Sequence, residues 1–150
     1  MSSSDIFSIA GSALNAQDMR MAAIAANLAN VDSVTQPGEP PYRAHELVFQ
    51  AAQPADGADG NDAGDGNAAD APAPGVQVVD TVQSNAAPAR SYDPGNPYAD
   101  ASGYVTGSNV SQVDEMVNMI DSSNAYSASV AMLQQASRLD QQMISSFQVT

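Results

Sequence analysis

Both ends of the chain carry apolar residues at helical spacing, whereas the middle does not. In the first 31 residues, apolar side chains recur at alternating steps of three and four, the heptad spacing of a helix that packs along one seam. The row comprises Phe7, Ala10, Leu14, Gln17, Met21, Ile24, Leu28 and Val31, of which only Gln17 is not apolar. The pattern predicts a helix that begins near Ser2 to Asp5, with a capping box, and ends near Asn30 to Ser33.

The C-terminal third predicts a second, longer helix. Asn109 or Ser111 can serve as its N-cap, acidic residues follow in the first turn, and no Gly or Pro occurs up to Thr150. One apolar stripe holds Met116, Met119, Tyr126, Val130 and Leu133, and a second holds Ala125, Ala128, Met132, Ala136, Leu139 and Met143. One antiparallel helix pair within the chain would bury one stripe per helix, so the second stripe predicts packing on neighbouring molecules.

The segment between the helices carries modest strand signals and turn chemistry. Tyr42–Gln50 and Val76–Val82 predict two strands that pair as a hairpin, and Pro94-Gly95 suits the centre of a type II turn. The predicted fold is therefore mainly α with a small β element, in which the terminal helices pair as a coiled-coil-like axial domain. The predicted divisions are the N-terminal helix 1–33, a turn and strand 34–50, an acidic loop 51–75, a strand and turn region 76–107 and the C-terminal helix 108–150.

Residues 51–75 form an acidic stretch with five Asp, no basic residue and no large apolar side chain. This composition predicts a mobile, low-complexity loop. The EF-hand-like positions 1, 3, 6, 7, 9 and 12 are filled by Asp59, Asn61, Gly64, Asp65, Asn67 and Asp70. Position 5 is Ala63, position 12 lacks the bidentate Glu, and prolines replace the flanking helices, so a solvated insert is favoured over a calcium site.

The charge and the rare residue types exclude several classes of function. The net charge is −13, from 17 acidic residues against four Arg, which leaves no electrostatic basis for binding nucleic acid or an anionic membrane. With no Cys and one His, no metal-ligand or nucleophile motif is present, so we expect no enzyme, cofactor or metal. Glu39 and Glu115 are interpreted as solvated or capping acids, and His45 as a surface residue. A cleaved signal peptide and a membrane span are not expected.

Several motifs resemble the bacterial flagellar rod and hook axial proteins. Ala26–Ser33 resembles the Ala-Asn-hydrophobic-Ala-Asn signature that ends the first helix in that family, and Met116–Ile120 resembles its C-terminal helix signature. The central motifs resemble those of the short, proximal rod members. The family-motif residues are Asn27, Asn30, Tyr42, Arg43, Pro94, Gly95, Pro97, Gly103 and Tyr104.

The resemblance implies a structural subunit of the proximal rod. Such a subunit is exported by the flagellar type III apparatus without a cleavable signal and polymerises through its terminal helices into the drive shaft that carries torque across the periplasm to the hook. The implied partners are further copies, the rod proteins FlgB, FlgF and FlgG, FliE and the membrane-ring base. The expected subunit-packing residues are Phe7, Leu14, Met21, Ile24, Leu28, Val31, Met116, Ile120, Tyr126, Val130, Leu133, Leu139 and Met143. A soluble coiled-coil binding module or a secreted chaperone-like partner is the alternative.

Overall fold

The computed structural model of the chain describes residues 3–52 and 75–147. Two long helices, α1 (Ser3–Ala29) and α2 (Gln112–Phe147), confirm the helices predicted at the two ends. Five strands lie between them: β1 (Val34–Thr35), β2 (His45–Ala52), β3 (Gly75–Gln83), β4 (Arg90–Tyr92) and β5 (Tyr104–Gly107). Ser2, and with it the predicted capping box, lies outside the described residues.

The start of α2 is fixed by Ser111. Its Oγ accepts a hydrogen bond from the Asp114 N–H at 3.4 Å, and its carbonyl oxygen accepts one from the Glu115 N–H at 3.0 Å. The two acidic residues stand at the positive end of the helix dipole, which favours a helix start at this point. Of the two predicted N-caps, Ser111 is therefore the one that the structure uses.

Strands β2 and β3 form the predicted antiparallel hairpin. His45 faces Gln83 at one end and Ala52 faces Gly75 at the other, with a register shift between Val48 and Phe49. The hairpin runs into both ends of the predicted acidic loop, so the loop prediction is wrong for residues 51, 52 and 75. The mobile-loop and calcium-site predictions for residues 53–74 lie outside the described residues.

A second, three-stranded antiparallel sheet was not predicted from the sequence. Its strand order is β1-β5-β4, and its strands are only two to four residues long, which is too short for an alternation pattern to be recognised. The turn after β4 closes with a hydrogen bond from the Asn96 N–H to the Asp93 carbonyl at 3.2 Å. The type II assignment is wrong, because Gly95 does not have the positive φ that position i+2 of that turn requires.

Gly103 is the residue of this region that depends most on being glycine. Its φ is +80°, and a Cβ atom would lie 2.9 Å from Tyr92 Cε2 and 3.3 Å from Pro94 Cβ. We expect Gly103→Ala to lower the free energy of unfolding by about 1–3 kcal/mol, because left-handed backbone and a tight contact both oppose the methyl group. Urea unfolding measures this change, with Gly11→Ala as control. A Cβ at Gly11 meets nothing within 4 Å, so helix propensity should make this variant more stable. Equal destabilisation of both variants would contradict the prediction.

The two helices lie along each other in antiparallel directions. Asn27 near the end of α1 contacts Glu115 at the start of α2, and Arg20 reaches Asp121 at 3.6 Å. The residues buried in the helices are mostly small or polar: Ala10, Ala16, Ile24 and Asn27 in α1, and Glu115, Ser122 and Ser129 in α2. The coiled-coil-like geometry expected for this pair stays a prediction.

The Asn27 junction and the outer faces of the helices

The side chains of Asn27, Tyr42, His45 and Glu115 meet where α1, β2 and α2 converge, and we call this cluster the Asn27 junction. Asn27 is 1% exposed. Its Nδ2 donates to the His45 carbonyl at 3.0 Å and to Glu115 Oε1 at 3.1 Å, and its Oδ1 accepts from the His45 N–H at 2.9 Å and the Tyr42 hydroxyl at 3.0 Å. These four bonds use both donors and both acceptor positions of the amide. The amide therefore has one orientation in the folded protein.

The junction also fixes the tautomer of neutral His45. The Tyr42 hydroxyl proton is committed to Asn27 Oδ1, yet the same hydroxyl lies 3.1 Å from His45 Nδ1. Nδ1 must then carry the proton and donate it to the Tyr42 oxygen, which leaves Nε2 as an acceptor for the Gln83 amide at 3.5 Å. The interpretation of His45 as a surface residue is corrected here, since it is half-buried and hydrogen-bonded on both ring nitrogens.

Glu115 is likewise not a solvated or merely capping acid. It is 8% exposed, because the packing of α1 on α2 covers the first turn of α2. Burial raises the pKa of Glu115 above its ordinary value, the Asn27 amide opposes this rise, and the Glu46 and Asp114 carboxylates add to it. Burial, followed by the negative charge of Glu115, also raises the pKa of Tyr42, so Tyr42 retains the proton that it donates to Asn27.

The raised pKa of Glu115 predicts a pH dependence of stability. A carboxyl group with a higher pKa in the folded than in the unfolded state binds its proton more tightly when folded. The stability that this proton contributes is therefore fully present below the pKa of the unfolded state, and it is lost as the pH rises through the pKa of the folded state. We expect the free energy of unfolding to fall as the pH rises above 4.5, the ordinary pKa of Glu, and Glu115→Gln, which keeps the Oε1 acceptor, to remove this part of the slope.

Chemical denaturation at several pH values tests this dependence. Asp114→Asn is the matched control, since Asp114 is the exposed neighbouring acid in the same helical turn and should leave most of the slope in place. Asp100 affects stability in a different pH range. The hydrogen bond from the Tyr104 N–H is the main reason that the pKa of Asp100 lies below its ordinary value, so the stability that this carboxylate contributes is lost only at lower pH. An unchanged slope in Glu115→Gln would refute the role given to this carboxyl.

Asn109 anchors the segment that leads into α2, although its predicted role was that of a cap. Its Oδ1 accepts from the Ala44 N–H at 2.7 Å, and its Nδ2 donates to the carbonyls of Ser84 and Ala86, both at 3.1 Å. Together with the Asn27 junction, this amide ties the His45–Gln83 end of the β2–β3 hairpin to the helix pair. The hairpin and the helices are thereby held in one orientation.

The remaining family-motif residues build turns and the small sheet. Asp100 accepts from the N–H groups of Ser102 and Tyr104 at 2.8 and 3.0 Å and from the Arg90 guanidinium at 3.0 Å. The guanidinium lies 5.0 Å from the centre of the Tyr104 ring, whose edge-on neighbour is Tyr92. Elsewhere, Arg43 donates to Asn85 Oδ1 at 3.1 Å and Asn30 Nδ2 donates to the Ala26 carbonyl at 2.9 Å. Pro94, Gly95 and Pro97 are exposed in the turn after β4.

The expected subunit-packing residues divide by exposure. Ile24 is buried, and eight are half-buried: Phe7, Leu14, Met21, Leu28, Val31, Tyr126, Val130 and Leu133. Four are exposed, namely Met116, Ile120, Leu139 and Met143. The half-buried residues stabilise the subunit itself, whereas the exposed ones are available to a neighbour. Their role in subunit packing stays a prediction.

The first two turns of α2 present a row of exposed apolar side chains, which we call the outer α2 stripe. It comprises Val113, Met116, Val117 and Ile120, whose exposed fractions are 70%, 47%, 59% and 63%. Their i, i+3, i+4, i+7 spacing places them on one face. This face is roughly opposite to the one that buries Glu115 and Ser122. The sequence analysis missed Val113 and Val117, although the same spacing was visible in the sequence.

Between α1, β2 and α2 lies an open cavity of about 360 Å³, lined by Arg20 and Ile24, by Leu47 and Phe49, and by Asn118 among others. Within residues 3–52 and 75–147, no three His, Asp or Glu side chains are grouped to hold a metal ion. None of the helices in this part of the chain has a stretch long and apolar enough to cross a membrane. The polar side chains of the Asn27 junction are hydrogen-bonded to one another, whereas the apolar side chains of the outer α2 stripe are exposed to solvent.

Comparison with known proteins identifies the class. Residues 7–36 match the family "Flagella basal body rod protein", and residues 101–146 match "Flagellar basal body rod FlgEFG protein C-terminal". These two matches cover most of α1 and of α2, the elements that carry Asn27, Glu115 and the outer α2 stripe. The chain is thus a flagellar rod protein.

Full-length relatives narrow this class to one family. Proteins named "Flagellar basal-body rod protein FlgC" are 47% identical in Escherichia coli O157:H7 and 45% identical in Salmonella typhimurium, each over 130 residues and 86% of both chains. The protein of that name in Bacillus subtilis is 33% identical over 128 residues, or 81% of this chain and 83% of its own. The chain belongs to the FlgC family and is a structural subunit of the flagellar basal-body rod.

Proposed function

We propose that this rod subunit polymerises through the outer faces of its terminal helices, with further copies and with related rod proteins, into the drive shaft that transmits torque from motor to hook. The outer α2 stripe is the observation that carries the proposal. In the first turns of α2 the buried residues are Glu115 and Ser122, whereas the four large apolar residues of the stripe face outwards, the reverse of a helix in a free-standing soluble protein. Such a helix gains stability when a neighbour covers its outer face.

The far end of α2 adds a second surface for neighbours. If the antiparallel pairing of Asn27 with Glu115 continues, Ser3 lies beside residues near 139, and the last two turns of α2 project beyond α1. Leu139, Met143 and Ile144 are about half exposed on this end. At about 25 cal/mol per Å², covering a few hundred Å² of apolar surface per contact contributes several kcal/mol. Repetition of such contacts along the rod would make it stiff.

The proposed role is mechanical rather than catalytic. The junction contains the only His and a buried Glu, but each of these side chains is held by structural hydrogen bonds and serves to orient the helices. Export by the type III apparatus without a cleaved signal, a periplasmic position, and FlgB, FlgF, FlgG, FliE and the membrane-ring base as neighbours belong to the same proposal. They rest on the family resemblance of the terminal helices.

A clean deletion of the gene, complemented by the intact chain, tests the proposed function. Swimming is scored on soft agar, and basal bodies are purified and imaged by electron microscopy. We expect membrane rings without a rod in the deletion strain and restored rods after complementation. Intact rods in the deletion strain would remove the drive-shaft role and favour a soluble binding module, which should form a closed dimer or tetramer in solution.

A further inference from the structure

Two contacts fix which residues of α1 and α2 lie at the same height along the helix pair. Asn27 contacts Glu115, and Arg20 contacts Asp121. The two helices run antiparallel with the same rise per residue, so a step towards the start of α1 corresponds to a step towards the end of α2. By this relation Ala29 is level with Val113, and Ala22 is level with Ile120.

The outer face of α1 at this height is a row of small residues. Ala22, Ala25, Ala26 and Ala29 are exposed and follow the same i, i+3, i+4, i+7 spacing as the outer α2 stripe. Each alanine is level with one member of that stripe. At 100° per residue, this face is roughly opposite to the face on which Ile24 and Asn27 are buried. The helix pair thus presents large apolar residues on one side and small ones on the other.

We propose, on the basis of the rod-subunit function given above, that the outer α2 stripe of one subunit packs on the alanine face of α1 in a second copy of this chain. Helices approach closely where small side chains on one face receive large side chains from the other. Since both faces lie at the same height, copies placed side by side need no shift along the helix axis to bring them together.

The two faces differ, so the contact is heterologous. Such a contact leaves one free stripe and one free alanine face at the ends of any row of subunits and therefore propagates, as a rod requires. Four side chains cover far less than the roughly 1,200–2,000 Å² that stable protein pairs bury. The free subunit is accordingly expected to stay monomeric, and the contact to persist only when it is repeated.

Cysteine cross-linking tests this contact without background thiols from the chain itself, because the chain contains no Cys. Two single-cysteine variants, Ala25→Cys and Val117→Cys, are given different tags and co-expressed in the deletion strain, after each has been shown to support swimming. Purified basal bodies are treated with a short thiol cross-linker. We expect a covalent dimer that carries both tags. If either variant fails to swim, Ala22→Cys with Ile120→Cys replaces the pair at the other end of the stripe.

The controls separate this inference from the proposed function. Arg138 is on the same outer side of α2 as Val117 but about 30 Å further along, so Arg138→Cys should give no dimer with Ala25→Cys. Dimers formed by Val117→Cys alone, adducts only with other rod proteins, or no adduct in swimming cells would each overturn the inference while the rod function stands. Intact rods in the deletion strain would instead overturn the rod function itself.

Discussion

Replacing Asn27 by Ala is expected to lower the free energy of unfolding by about 3–5 kcal/mol. The amide makes four hydrogen bonds in a position that is 1% exposed. Its removal leaves both backbone groups of His45 without this partner, together with the Glu115 carboxylate, and each unsatisfied buried polar group costs about 1–3 kcal/mol. Small domains are stable by only about 5–15 kcal/mol, so the variant would be largely unfolded under mild denaturing conditions.

Urea unfolding followed by circular dichroism measures the effect of Asn27→Ala. Asn85→Ala is the matched control, because Asn85 is exposed and its Oδ1 accepts one hydrogen bond, from the Arg43 guanidinium at 3.1 Å. We expect the control to lose about 0.5–1.5 kcal/mol. A loss of under 1 kcal/mol in Asn27→Ala would show that the junction is not what holds α1, β2 and α2 together.

Ile120→Asp is expected to abolish rod assembly and swimming while the subunit keeps its fold. Ile120 is 63% exposed and lies on the side of α2 away from α1, so the folded subunit loses little and its free energy of unfolding should change by under about 0.5 kcal/mol. In the rod, the same carboxylate would be buried in an apolar contact, where an unpaired charge is strongly unfavourable. Thermal unfolding of the purified chain and swimming of the complemented deletion strain measure the two effects.

Asn124→Asp provides the control for charge on this face. Asn124 is exposed one turn after Ile120, on the same side of α2, and it is already polar. Its replacement adds the same carboxylate just beyond the outer α2 stripe, and we expect cells with this variant to swim. Normal swimming with Ile120→Asp would refute the assignment of the outer α2 stripe as a polymerisation surface.

The helices and the hairpin could be predicted because their signals are local. The apolar rows of α1 and α2 and the Ser111 cap are properties of neighbouring residues, and they survive in the structure. The β1-β5-β4 sheet could not be predicted, since β1 is held by pairing with β5 about 70 residues away, as Val34 is with Gly107, and β4 has only three residues. Pairing over such separations leaves no periodicity in strands of two to four residues.

The candidate site was predictable only in part. Asn27 and Tyr42 were singled out because they resemble family motifs, whereas Glu115 was interpreted as a solvated or capping acid in the first turn of a helix and His45 as a surface residue on a polar strand face. Their burial arises because α1, β2 and α2 meet. The contact between Asn27 and Glu115 joins residues 88 apart in the chain, which composition does not report. The sequence likewise could not tell which packing residues are exposed. Ile120 is exposed and Leu133 is half-buried, a difference that follows from the face of α2 that meets α1.

The Asn27 junction fixes the direction in which the outer α2 stripe faces. Glu115 is held by the Asn27 amide, and the next residue, Met116, already belongs to the outer α2 stripe. Successive helix residues are 100° apart, so a slip of α2 by one residue would swing the stripe through more than a quarter of a circle. A single side-chain amide thus sets the direction in which the proposed polymerisation surface faces.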